Sequence, residues 1–247
     1  MSKFLSFIII SSFISLGLNA QQNAIVYYDY SFHPEKLSIN KELKNAPKTE
    51  MNFFMKLAEE YAKQHKYILK FTPKEALYKV EAGIKPDELL DPSAWRISQW
   101  TFGKGVFYQN APQRYILNQK TSMNQLYLVR DTIKSDWTIS YEKRIIGGLK
   151  CYKATKKAKT KKGFDIEAWF TPEIPVPFGP GRFAGTPGLI VELNYGPHTL
   201  SLKKLTYKKH LKIKKPIEGK PISAVELKDL FFKKKWELYQ KMQSRNR

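Results

Sequence analysis

The stretch Thr171–Glu192, TPEIPVPFGPGRFAGTPGLIVE, constrains this chain more than any other. It packs five of the fourteen prolines and four of the thirteen glycines into 22 residues. A flexible linker dilutes its prolines with serine and glycine. Here each proline fixes φ and removes a backbone donor, and each glycine opens conformations closed to other residues. Ile174, Val176, Phe178, Phe183, Leu189 and Ile190 stand between them. The pattern predicts a stiff, ordered loop that packs against a core and enters a strand at Gly188 or Leu189.

Around this loop the chain reads as strands. Residues 24–32 (AIVYYDYSF) alternate and are rich in β-branched and aromatic side chains, which is the signature of a half-buried strand. Further strands are expected at 66–72, 76–82, 105–109, 114–120, 125–131, 137–142, 149–155, 164–171, 189–195 and 200–207, with turn residues at most of the breaks. Residues 83–101 hold two prolines and read as an excursion loop, and 156–163 (KKAKTKKG) as a basic turn. Two helices are expected. The first covers 49–64, where Met51, Phe54, Met55, Ala58, Tyr61 and Ala62 share one face of a 3.6-residue period. The second begins at a capping box, Ser223 with Glu226, and would bury Leu227, Leu230, Phe231 and Leu238. Two helices cannot cover so many strands, so the apolar face needs curvature or a second layer. The expected class is therefore α+β and β-rich: a curved antiparallel sheet, half-barrel or bowl, with helices at its side or mouth. A β-sandwich is the alternative.

Residues 1–20 read as a secretory signal, with Lys3 ahead of an apolar core at 4–18 and Leu18-Asn19-Ala20 at the cleavage end. The rest, 21–247, is of a size for one domain. The single cysteine, Cys151, forbids an internal disulfide. Stability then rests on packing, for which 34 aromatic residues are available. Cys151 reads as a small buried hydrophobe rather than a reactive thiol. Formal net charge is +21, and residues 150–247 alone hold 23 basic and 8 acidic side chains, or +15. Export, the dominance of lysine (36 Lys, 7 Arg) and the lack of a nucleic-acid-binding motif argue against nucleic acid. A solvated lysine-rich surface and contact with an anionic envelope surface are the two readings that remain.

Several motifs in their order and spacing resemble those of the GLPGLI family, exported proteins of Bacteroidota without a settled activity. They are Trp137, Ile139, Ile146-Gly147, Cys151 and Ala154; then Ala168-Trp169-Phe170-Thr171; then Ile174-Pro175, Gly179-Pro180, Phe183 and Gly185; and finally Gly185-Thr186-Pro187-Gly188-Leu189-Ile190. Thr186 stands where the family has Leu. The resemblance spans roughly 136–195. It implies a distant similarity in fold to the bowl-like N-terminal domain of type II peptide-N-glycosidase, and marks Trp169, Pro175, Gly179, Pro180, Arg182, Phe183, Gly185, Pro187, Gly188, Leu189 and Ile190 as the motif, structural or ligand-binding.

No catalytic pattern emerges. His33, His65, His198 and His210 have no zinc-site spacing, and there is no G-x-S-x-G elbow. The proline-studded loop lacks the free N–H groups and following helix of a phosphate cradle. Asp165 and Glu167 share one strand face. Two carboxylates so placed suit glycoside hydrolysis, or else face water and pair with nearby lysines. Arg182, within the loop, reads as half of a structural ion pair or as a receptor for a ligand carboxylate or phosphate. No metal or cofactor is expected. The expectation is an exported protein of periplasm or exterior, acting as a non-enzymatic binding module for a peptide, glycan or lipid-like ligand in the cup of the sheet. The alternatives are an envelope hydrolase built from strand residues and the 171–192 loop, and a scaffold using the basic C-terminal half.

Overall fold

A computed structural model describes residues 23–33, 36, 48–85, 91–98, 102–158 and 164–245. The predicted signal segment lies outside these residues, as does part of the basic turn at 156–163. The strands are β1 (Asn23–Phe32), β2 (Lys66–Phe71), β3 (Glu75–Glu81), β4 (Val106–Asn110), β5 (Tyr115–Ser122), β6 (Gln125–Thr132), β7 (Thr138–Ile146), β8 (Leu149–Lys156), β9 (Ile166–Thr171), β10 (Leu189–Tyr195), β11 (His198–Lys208) and β12 (Lys220–Ser223). The helices are α1 (Lys48–Lys63), α2 (Pro92–Ser98) and α3 (Ala224–Arg245).

All twelve strands join one open, curved sheet in the order β12-β6-β5-β4-β3-β2-β1-β11-β10-β9-β8-β7. Every pairing is antiparallel except β12 with β6. This is the curved sheet of the first expectation, and a single sheet replaces the sandwich. Curvature removes the need for a second sheet. Alternate residues of β1, namely Ala24, Val26, Tyr28, Tyr30 and Phe32, are buried on the inner face, where they meet inward residues of β2 and the segment between β9 and β10.

Two elements depart from expectation. The excursion loop contains α2, whose start is capped by Asp91: its Oδ1 accepts from the N–H groups of Ser93 (2.6 Å) and Ala94 (3.2 Å). Pro92 then fills the first helical position, where its missing donor costs nothing. Trp95 and Ala94 of α2 pack on Ala58 and Tyr61 of α1. The second departure is β12, which extends the sheet beyond β6. Residues 209–219 lead to it across the outer face, where Ile213 packs on the cluster of Tyr108, Tyr115 and Leu117.

The capping box of α3 forms in both directions. Glu226 N–H donates to Ser223 Oγ (3.1 Å), and Ser223 N–H donates to Glu226 Oε2 (2.8 Å). Leu227 then packs on Tyr127 and Val129. Phe231, expected on the buried face, is 52% exposed, because the helix runs off the body after Leu230. The side chain of Leu238 lies outside the described residues.

Candidate functional site

The 171–192 segment lies across the inner face of the sheet. Ile174, Val176, Phe178, Phe183 and Ala184 are buried there. Phe178 meets Phe71 of β2, with ring centroids 6.5 Å apart, and Phe183 meets Tyr195 of β10 at 5.8 Å. Polar bonds tie the segment to strands far apart in the sheet order. Gln109 of β4, fully buried, donates from Nε2 to the carbonyls of Gly179 (2.7 Å) and Gly181 (2.8 Å). Tyr28 of β1 donates to the Ile190 carbonyl (2.8 Å), and Trp137 donates to that of Ala184 (2.9 Å). The segment also bonds to itself, with Ile190 N–H donating to Phe178 O and Gly185 N–H to Pro177 O. The cup expected to receive a ligand is therefore filled by the chain's own loop.

The motif residues divide accordingly. Gly179, Pro180, Phe183, Gly188, Leu189, Ile190 and Trp169 are buried, whereas Pro175, Arg182 and Pro187 face solvent. Gly185 has φ +96, and a Cβ there would collide with the Lys134 carbonyl. Gly188, by contrast, has no positive φ. Its constraint is space alone, since a Cβ would run into the carbonyl of Thr171 on the paired strand. Thr186 turns its hydroxyl to the Gly188 carbonyl (2.7 Å), a bond a leucine in its place could not make. Among the described residues Arg182 has no carboxylate partner, so the expected ion pair is absent. Its guanidinium lies 5.5 Å from the Phe183 ring centroid. Burial, together with the nearby Arg182 charge, holds Lys120 below the usual lysine range.

The two carboxylates paired by sequence, Asp165 and Glu167, fall into separate sites. Asp165 pairs with Lys157 (2.7 Å) in the basic turn. Glu173 accepts the Lys150 N–H. Glu167 and Glu192 do come together on the outer face, bridged by Asn194, whose Nδ2 donates to Oε1 of both (3.3 and 3.2 Å). Around them the acceptors are saturated. Glu192 pairs with Arg144 (2.6 Å) and accepts from Ser201 (2.8 Å); Glu167 pairs with Lys153 (2.9 Å) and accepts from Trp169 Nε1 (3.1 Å). Arg144 also lies 4.4 Å over the Trp169 ring. Burial pushes the Glu167 carboxyl up, but the bonds from Lys153 and Trp169 outweigh it and hold the group below its usual range. A general acid needs the reverse. The cluster is a polar strut linking β7 to β11.

A Ser–His pair is also accounted for. Gly83 N–H donates to His65 Nδ1 (3.0 Å), so the ring proton sits on Nε2 and is donated to Ser98 Oγ (2.9 Å). Ser98 in turn donates to the Trp95 carbonyl (2.7 Å). The nitrogen facing the serine carries a proton and cannot take one, so the pair holds α2 in place. Cys151 is buried, and burial raises its thiol to about 11. Among the described residues no three His, Cys, Asp or Glu side chains gather to hold a metal.

A cleft lies on the outer face, where residues 213–222 cross β5 and β6. Its volume is about 550 Å³, and its walls include Leu117, Leu128, Pro216 and Ile222, within the range of small-ligand sites. Arg130 and Lys215 line the same cleft. Their charged ends lie 4.2 and 5.4 Å from the centroid of the buried Tyr115 ring. Neither has a carboxylate within ion-pair distance among the described residues. Glu226, also in the lining, is committed to its helix cap. The arrangement is an apolar trough lined by two cations over the Tyr115 ring and by the Glu226 carboxylate of the helix cap. Sequence reasoning missed it, because β12 and the segment before it bring Lys215 to Arg130 only through a crossing with no local signal.

A family model described as "Protein of unknown function (Porph_ging)" matches residues 155–192, from the end of β8 through the loop. No curated protein matches the chain. Among solved structures, two crystal forms of PNGF-II, in space groups P21 and C2, superpose with TM-scores of 0.54 and 0.53 at 18% identity. They cover 86% of this chain, which spans about a third of theirs (34% and 33%). The likeness supports the distant similarity in fold expected from the sequence and at this identity establishes fold alone. No helix among the described residues is long and apolar enough to cross a membrane.

Proposed function

We propose that this protein is an exported, non-enzymatic binding module whose ligand is a lipid-like anion held in the outer cleft. The observation that carries the reading is the pair Arg130 and Lys215, two cations without a carboxylate at ion-pair distance among the described residues, at an apolar trough. A carboxylate or phosphate headgroup would satisfy both cations, and an alkyl chain would lie along Leu117, Leu128 and Pro216. A charge-assisted contact of this kind is stronger than a neutral one. Of the ligand classes suggested by sequence, peptide and glycan would need an open groove in the cup, and the 171–192 loop fills it. The hydrolase reading loses support for the reasons of proton placement and saturated carboxylates given above. Export rests on the signal-like start of the chain, and the motifs between Trp137 and Ile190 favour the GLPGLI family.

Calorimetric titration tests the reading. The wild-type protein should bind decanoate and not the uncharged decyl glucoside. Replacing both cations (Arg130→Gln with Lys215→Gln) should weaken decanoate binding by about tenfold to a hundredfold, as for loss of hydrogen bonds to a charged group. No binding by the wild type, or equal binding by the double variant, would refute the assignment.

A further inference from the structure

Helix α3 carries an apolar stripe that nothing among the described residues covers. Val225, Phe232, Trp236 and Tyr239 fall at i, i+7, i+11 and i+14, on one side of a 3.6-residue helix. They are 68, 55, 62 and 50% exposed. Trp236 and Tyr239 stack with centroids 5.7 Å apart. Among the described residues the helix is anchored to the body through its first turns, by Leu227 and Leu230. Beyond Leu230 every described side chain is exposed. An unsupported run of this length is marginal as a helix in water, where helical stability comes mostly from packing an apolar face.

The residues interleaved with the stripe indicate what covers it. Lys228 (i+3), Lys235 (i+10) and a single carboxylate, Asp229 (i+4), lie on the same side as the rings, and the Lys228 ammonium sits 5.8 Å from the Phe232 ring centroid. Lys233 (i+8) flanks the stripe on its other side, while Lys234 (i+9) points to the opposite face of the helix. A protein groove would have to desolvate these lysines, which are depleted from interface cores. A second copy of the chain would oppose lysine to lysine between two molecules of formal charge +21 each. At a bilayer surface the conflict disappears. Aromatic rings settle at the headgroup level, while lysine stems lie along the apolar boundary and their ammonium groups reach lipid phosphates. We infer that α3 is a surface-binding helix that docks, through Phe232, Trp236, Tyr239 and the surrounding lysines, onto an anionic lipid bilayer. The inference rests on residues separate from the Arg130–Lys215 cleft and stands whether or not that cleft takes a ligand.

Vesicle flotation of the whole protein decides it. The wild type should float with mixed phosphatidylglycerol/phosphatidylcholine vesicles and not with phosphatidylcholine alone. Lys228, Lys233 and Lys235 changed together to Gln should weaken partition by about a hundredfold, roughly fivefold for each charge near an anionic surface. Phe232→Ala with Trp236→Ala should abolish flotation even with the lysines present. These side chains are exposed, and an unchanged melting temperature will show that the variants fold. Wild-type protein left in the pellet, equal binding to neutral vesicles, or flotation kept by both variants would overturn the inference. So would a dimer in sedimentation equilibrium that Trp236→Ala dissociates, which would assign the stripe to a second copy.

Discussion

His198 shows at the residue scale how burial sets chemistry here. Its ring stacks with Tyr30 and packs against Phe32 and Phe102, and Nδ1 shares a 2.8 Å hydrogen bond with the Tyr30 hydroxyl. Burial pushes its titration down to about 4 from the ordinary 6.5. The folded protein keeps this ring neutral, whereas the unfolded chain protonates it below about 6.5. Stability is therefore unaffected by His198 above that value and falls with pH between about 6.5 and about 4, by up to roughly 3 kcal/mol. Denaturant unfolding across this window should show the decline, and His198→Gln should flatten it. A wild-type profile without slope between these values would contradict the burial argument. Residue-scale features that depend only on near neighbours were legible in sequence, as with Ser223 and Glu226. The Glu167–Asn194–Glu192 bridge was not, because it depends on which strands pair and in what register.

At the scale of elements, alternation and helical periodicity located eleven of the twelve strands and α1 and α3, because a half-buried strand and an amphipathic helix each impose their own period. The Asp91-Pro92 start of α2 carried a capping signal that its short length and the prolines around it masked. β12 gave no signal, since a four-residue edge strand has too few residues to alternate. Phe231 has the period of a buried face, but no neighbour arrives to bury it. The 171–192 loop was legible as ordered from its prolines and glycines, though its path over the inner face was not. Gln109 tests whether that path holds the fold together. Gln109→Leu keeps the volume similar but leaves the Gly179 and Gly181 carbonyls without their donor. The change should destabilise by on the order of 1–3 kcal/mol and lower the melting temperature. An unchanged melting curve would mean that the loop does not clasp the sheet.

For the whole molecule, curvature is what turns one sheet into a container with two different faces. The inner face is closed by the chain's own loop, and the proposed recognition sites lie on the outer face and on α3. The cleft cations Arg130 and Lys215 and the lysines of α3 have no ion-pair partner among the described residues, and all but Arg130 belong to the lysine surplus of the C-terminal half. Sequence composition showed that surplus, and only the fold shows where it gathers. The most direct test of this division is shift mapping by NMR with decanoate. The account predicts perturbed amides and methyls at Leu117, Leu128, Arg130, Lys215 and Ile222, and none between Phe178 and Ile190. Shifts confined to Phe178–Ile190 and the facing Tyr28 and Tyr78, with the outer cleft silent, would show that the cup opens to receive the ligand and would contradict it.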